Sequence, residues 1–143
     1  MQSPVNAPAR STQGVPVFQS RRQNPRVHVK LPVTVVLDSG KRIATRSRDV
    51  SLTSLSIVTD RPTAAAIHPS GRVIREADCP SVAVSFPVRV GSERRRVEAL
   101  CEICRFDLCD DDSVLFALRL VRLSRRGATN LEAFVESSLE PAY

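Results

Sequence analysis

Residues 27–37, VHVKLPVTVVL, decide the fold, because apolar residues occupy every second position from Val27 to Leu37. An alternation with a period of two is typical of a β-strand that buries one face and exposes the other. The sequence therefore predicts a half-buried strand across these eleven residues.

Further strands follow on both sides of an irregular middle segment. A turn at 38–41 leads to a return strand at 42–49, and a corner at 51–54 leads to a third strand around Leu55, Ile57 and Thr59. Breakers at 60–80 predict an irregular connection with one helical turn. Alternation then resumes, which predicts strands at 82–90, 95–107 and 114–123.

Apolar residues at helical spacing follow Ser124, which is a suitable N-cap, so we predict a helix at about residues 125–138. The predicted fold class is mainly all-β: a six-stranded antiparallel β-barrel in meander order with a C-terminal α-helix. A single domain fits the 143 residues, with a flexible leader at 1–20, a folded domain at 21–143 and the barrel at 27–123.

The net charge of +6 is concentrated at one end of the chain. Residues 1–30 hold five basic side chains and no acid, which favours a small anionic partner at least as well as nucleic acid or a membrane. Single-stranded nucleic acid needs aromatic side chains for stacking, and only 4% of the residues are aromatic. We expect no nucleic-acid partner, no transmembrane segment, no secretion signal and a cytoplasmic location.

The sequence carries no motif of the common enzyme families that use a nucleophile elbow, a phosphate loop or a zinc-binding helix. With two histidines in the chain, a nucleophile–base pair is difficult to assemble, so we predict that the protein is not an enzyme and has no cofactor.

Metal binding is the alternative function for the cysteines and for the acidic run. Cys101 and Cys104 have the spacing of half a zinc site, but Cys79 and Cys109 are spaced irregularly, so we expect reduced thiols that act as small apolar residues. Zinc and redox roles remain open alternatives. The acids of 110–112 lack the spaced ligands of a calcium loop and are predicted to form a hairpin tip.

Two polar segments flank the first predicted hairpin. The first is RRQNPR, residues 21–26, directly before the first strand, and the second is DVSLTS, residues 49–54, at the corner. The open end of the hairpin brings residue 26 close to residue 49. Guanidinium groups suit phosphate oxygens and the O6 and N7 acceptors of guanine, whereas a carboxylate and a hydroxyl accept hydrogen bonds from its other edge. The combination suits a guanine nucleotide.

These residues resemble the signature of the PilZ domain family, an R-x-x-x-R before the first strand followed by [D/N]-x-S-x-x-G. Arg22 and Arg26 match the first part, Arg21 matches a frequent additional arginine, and Asp49 and Ser51 match the second. The final strand around residues 115–120, followed by a helix, is also similar to the family's ending. The resemblance covers about residues 21–137.

The resemblance implies a PilZ-type barrel that binds cyclic di-GMP and relays the signal to a protein partner by ordering of the arginine segment. The implied ligand-binding residues are Arg21, Arg22, Arg26, Asp49, Ser51 and Ser54. Ser54 departs from the pattern, because the family has glycine there. Glycine serves where φ is positive or where the backbone approaches a ligand, so we expect Ser54 to strain the corner by about 1 kcal/mol or more or to crowd the nucleotide. The alternative is a PilZ-like interaction module that binds no nucleotide.

Overall fold

The computed structural model of the chain describes residues 15–16 and 25–139. In chain order the elements are β1 (Val15–Pro16), β2 (Val27–His28), β3 (Pro32–Val36), β4 (Arg42–Val50), β5 (Ser54–Thr59), α1 (Arg61–Ile67), a 3₁₀ helix (Glu76–Asp78), β6 (Ser81–Val90), β7 (Glu93–Leu108), β8 (Val114–Leu123) and α2 (Arg125–Leu139).

The six longer strands, β3 to β8, close an antiparallel barrel, and α2 follows the last of them. This confirms the predicted fold class. The meander order is wrong, because β6 pairs with β3, and β5 pairs with β8. The connection at 60–80 is long enough to carry the chain past β4 and β3, so two three-stranded units meet along two seams instead of forming one continuous meander.

The predicted first strand is interrupted at residues 29–31, where the Ser47 side chain replaces part of the ladder. Its hydroxyl accepts a hydrogen bond from the Leu31 amide at 2.8 Å and donates to the Val29 carbonyl. A register shift in β4 lies at the same place, between Ser47 and Asp49. On the N-terminal side of this break, β2 pairs with the end of β4, with Val27 opposite Val50, so Arg26 lies close to the corner.

The connection at 60–80 holds more helix than the single turn that the sequence predicts. α1 has seven residues, and the Asp60 carboxylate caps it by accepting a hydrogen bond from the Thr63 amide at 2.8 Å. Pro62 lies in the first turn, where its missing N–H costs nothing. The short strand β1 pairs with β8 and lies inside the segment predicted as a flexible leader. The rest of the leader lies outside the described residues.

α2 packs against β6 and β7 and buries Leu131, Phe134 and Val135. The Ser124 hydroxyl accepts a hydrogen bond from the Gly127 amide at 2.9 Å, as expected of an N-cap. Gly127 also permits close packing, because a Cβ there would lie 3.3 Å from the Glu98 carbonyl oxygen. Of the helices in the described part of the chain, none combines the length and the apolar character needed to cross a membrane.

Candidate ligand-binding site

Arg26 and Asp49 meet at the edge of the barrel. Arg26 directly precedes β2, and β2 pairs with the end of β4, where His28 lies opposite Asp49. The Arg26 Nη1 atom lies 3.1 Å from Asp49 Oδ1. The Arg26 side chain is 53% exposed and that of Asp49 is 10% exposed. Because a guanidinium has five N–H donors, most of the Arg26 donors remain available to a ligand while one holds Asp49.

The corner at 51–54 is organised around the hydroxyl of Ser51, a residue that is only 1% exposed. This oxygen accepts hydrogen bonds from the amides of Thr53, at 3.2 Å, and Ser54, at 3.0 Å. It also lies 2.8 Å from the Ser54 hydroxyl. Since a hydroxyl has two acceptor positions and one proton, the Ser51 proton is directed to Ser54. The half-buried Ser54 hydroxyl is therefore the group through which the corner can donate to a ligand.

The motif predicts that Ser51 touches the guanine edge. In the structure its buried hydroxyl holds the backbone of the turn, and its contact with a ligand stays a prediction. The prediction of backbone strain at Ser54 is wrong. Within the described residues, Asp112 is the only non-glycine residue with positive φ, at 71°. Ser54 instead begins β5 in ordinary strand pairing, opposite Arg119. Crowding of a nucleotide by Ser54 remains a prediction.

Further basic side chains lie on the outer surface of β4, the strand that leads into the corner. Arg46 and Arg48 alternate with the inward-facing Thr45 and Ser47 of β4, so both arginines point outwards. Together with His28 and Lys30 they line a cleft of about 690 Å³, which the loop at 109–113 closes on its other side. The sequence-based site missed these arginines, although the period-two alternation of β4 places them on the same outer face.

Arg119 is a second group that the motif does not include. It lies opposite Ser54 on β8 and forms an ion pair with Glu102 of β7. The hydrogen bond that Arg119 donates to Glu102 raises the pKa of Arg119 above its usual value. The guanidinium therefore stays charged at the edge of the corner.

The remaining sequence-predicted groups lie apart from this surface or outside the described residues. Arg21 and Arg22 lie outside the described residues. Cys101 is buried in the core, Cys104 is half-buried, and Cys109 lines the cleft. Within residues 25–139 no group of three or more His, Cys, Asp or Glu side chains is arranged to hold a metal ion.

The acidic run at 110–112 forms the tip of the β7–β8 hairpin. Asp112 forms an ion pair with Arg61 at 2.9 Å. A hydrogen bond from the Ser113 hydroxyl lowers the pKa of Asp111, so this carboxylate already accepts a hydrogen bond within the turn.

A second basic region shares no residue with the corner. It is a hollow of about 820 Å³ between the β6–β7 hairpin and the start of α2, lined by Arg94, Arg95, Arg96, Arg125 and Arg126. Glu93 pairs with Arg95 at 2.6 Å and leaves the hollow strongly positive. The described part of the chain therefore offers two basic surfaces to an anionic ligand.

Comparisons with known proteins agree with this architecture. The family model described as "PilZ domain" matches residues 20–137. The sequence matches none of the curated proteins. The fold is similar to that of the Bacillus subtilis inhibitor of motility MotI/DgrA, with a TM-score of 0.63 and 15% identity over 85% of this chain and 53% of that one. The chain thus spans about half the length of MotI/DgrA. It is also similar to the PilZ domain with c-di-GMP of YcgR from Escherichia coli, with a TM-score of 0.52 and 13% identity over 82% of this chain and 91% of that one.

Proposed function

Because the chain belongs to the PilZ domain family, we propose that it is a cyclic di-GMP receptor that acts as an adaptor to a protein partner and not as an enzyme. The observation that carries the proposal is the ion pair between Arg26 and Asp49 beside the Ser51–Ser54 turn. It joins the two halves of the sequence motif in one place. A guanine ring needs donors for O6 and N7 and acceptors for its N–H edge, and these groups provide both.

The charge of the surrounding surface also supports a ligand with phosphates. Cyclic di-GMP carries two phosphodiester charges, and the outward-facing Arg46 and Arg48 lie on β4 shortly before the corner. Arginine forms two-pronged hydrogen bonds with phosphate oxygens, which a lysine at the same position could not reproduce. In the proposed complex Arg26 contacts guanine and phosphate, Asp49 accepts from the guanine N–H edge, and Ser54 donates from the turn.

Arg21 and Arg22 enter the proposal through their position in the chain. They lie five and four residues before Arg26, respectively, and are close enough in sequence to close over a nucleotide held beside Asp49. Ordering of this arginine segment on the nucleotide would present a new surface to the protein partner. The structural likeness to the YcgR domain, which was solved with c-di-GMP, is consistent with this arrangement at the level of the fold.

Calorimetric titration with cyclic di-GMP tests the assignment. We expect wild-type protein to bind, and Arg22→Ala and Arg26→Ala each to weaken binding by roughly 10–100-fold, because each removes charge-assisted hydrogen bonds. Arg89→Ala is the matched control, since it removes an exposed arginine of β6 away from the corner and should leave the affinity unchanged. Equal affinities for all four proteins would refute the assigned residues.

A wild-type protein that gives no binding signal would select the second candidate function, a PilZ-like interaction module without nucleotide. The observation in its favour is the Ser54 hydroxyl, which lies where the family has no side chain. Titration of Ser54→Gly separates the cases, because binding restored by the glycine would identify crowding as the cause.

A further inference from the structure

Cys79 and Cys104 lie opposite each other in the continuation of the β6–β7 ladder. The paired strands end with Ser81 opposite Glu102, and one further hydrogen bond joins the Ile103 amide to the Pro80 carbonyl at 2.8 Å. The backbone of Cys79 is still extended, with φ −76° and ψ 125°. One more step of the antiparallel register therefore places Cys79 across from Cys104.

The type of pair determines how close the side chains come. Since Ile103 donates to Pro80, that pair is a hydrogen-bonded position, and the next pair along the ladder is a non-hydrogen-bonded one. Such pairs have Cα atoms about 4.5 Å apart and side chains in close contact, which lies within the range that a disulfide spans. Ile103 is buried in the core, so alternation along the strand turns Cys104 outwards, and Cys79 and Cys104 are both half-buried.

Two further observations bear on a link between these thiols. Burial, and then the neighbouring Cys104 thiol, raise the pKa of Cys79. A register shift in the β7–β8 pairing, between Ile103 and Arg105, leaves Cys104 without a Cα partner on β8 within the described ladder. A bulge of this kind loosens the strand locally and redirects its side chain, which eases the small rotation that a disulfide requires.

We propose that Cys79 and Cys104 form a site of reversible disulfide formation, with a low-molecular-weight disulfide such as oxidised glutathione as the oxidant. The thiolate of one cysteine attacks a sulfur of glutathione disulfide and expels one glutathione thiolate. The second cysteine then attacks the mixed disulfide and expels the other glutathione. One S–S bond forms in the protein, one breaks in the oxidant, and the two protein protons end on two glutathione thiols.

The other two cysteines provide the contrast. Cys101 is completely buried, and the apolar surroundings keep its thiol protonated by raising its pKa far above the usual value. Cys109 lies in the β7–β8 turn and lines the cleft with residues of β4. The disulfide would join the C-terminal end of the connection at 60–80 to β7. The link would lie next to the Glu102–Arg119 ion pair that borders the corner.

The test is to incubate the folded full chain with oxidised glutathione, remove the reagent, and count thiols after denaturation. The count should fall from four to two, with a mass loss of about 2 Da relative to the reduced chain. Trypsin cuts after Arg75, Arg89, Arg96 and Arg105, so the cross-link should join peptide 76–89 to peptide 97–105. The Cys101→Ala/Cys109→Ser double variant should form the same link, and Cys79→Ser or Cys104→Ser should abolish it.

Three results would overturn the proposal. The first is an unchanged count of four thiols after prolonged incubation. The second is glutathione attached to Cys79 and Cys104 separately, with no cross-linked peptide. The third is a cross-link that survives Cys104→Ser, since it would show that Cys79 pairs with a different cysteine.

Discussion

The strands before and after the connection at 60–80 build one barrel from different kinds of buried side chain. Of the eight buried polar or charged residues in the described chain, six lie within 45–59, on β4, β5 and the corner between them. The strands β6 to β8 instead bury a nearly continuous apolar set: Val82, Val84, Phe86, Val88, Val97, Ala99, Cys101, Ile103, Val114, Phe116, Leu118, Leu120 and Leu123.

This contrast indicates that the apolar half mainly stabilises the barrel, whereas the polar half determines the path of the backbone. Buried polar groups cost free energy unless they are hydrogen-bonded. In the polar half, Thr45 donates to the Val33 carbonyl at 2.9 Å, Ser47 bridges residues 29 and 31, and Ser51 holds the corner. These bonds fix where the backbone turns and bring Arg26 to Asp49. The apolar half supplies burial that does not depend on such directional contacts.

Truncation in the apolar half should have the largest effect on stability. Phe86 is fully buried, so Phe86→Ala should lower the free energy of unfolding by about 3–5 kcal/mol, the usual loss for an aromatic residue in a core. Urea denaturation measures this loss. Val73→Ala is the control, because Val73 is 87% exposed and should change stability very little. A loss below about 1 kcal/mol for Phe86→Ala would contradict the division of roles.

A hydroxyl deletion in the polar half should have an intermediate effect. Ser47→Ala removes the partner of the Leu31 amide and the Val29 carbonyl, and unpaired buried groups cost about 1–3 kcal/mol. Ser85→Ala in the apolar half is the matched control. Its hydroxyl accepts a hydrogen bond from the long Arg96 side chain, at 2.6 Å, and that side chain can turn to water instead. Equal losses of stability for the two variants would remove the contrast.

The smallest effect is expected at Ser54, where its sign matters more than its size. Since the Ser54 backbone is not in the left-handed region, Ser54→Gly should destabilise the fold by about 0.5–1 kcal/mol through the conformational freedom of glycine. A left-handed residue would instead be relieved by glycine and the variant would be more stable. Thermal unfolding of the wild type and the variant distinguishes a strained from an unstrained Ser54 backbone. A glycine variant that is more stable than the wild type would support the strain expected from the motif.

Alternation and spacing predict the strands well, because period-two patterns such as Val82 to Val90 report directly which face is buried. They do not predict strand order. The pairing of β6 with β3 depends on contacts between distant segments, and nothing local to residues 60–80 specifies them. The break at 29–31 was missed for a similar reason, since an apolar alternation continues through it and the cause is a serine on the neighbouring strand.

The site was predicted in part. The approach of Arg26 to Asp49 follows from the hairpin between them, and the structure brings these two residues together. The roles of Ser51 and Ser54 depend on which hydroxyl accepts which amide, and a motif cannot encode that. Arg119 is not in the motif because only strand pairing brings it opposite Ser54, and Arg46 and Arg48 share an outer face only through the alternation of β4.

The most direct test of the account is a map of backbone amide resonances during titration of the wild-type protein with cyclic di-GMP. If the polar corner holds the nucleotide, the largest shifts should fall at residues 26–28, 48–56 and 117–119. The absence of shifts, or shifts confined to the basic hollow around residues 94–96 and 125–126, would contradict it.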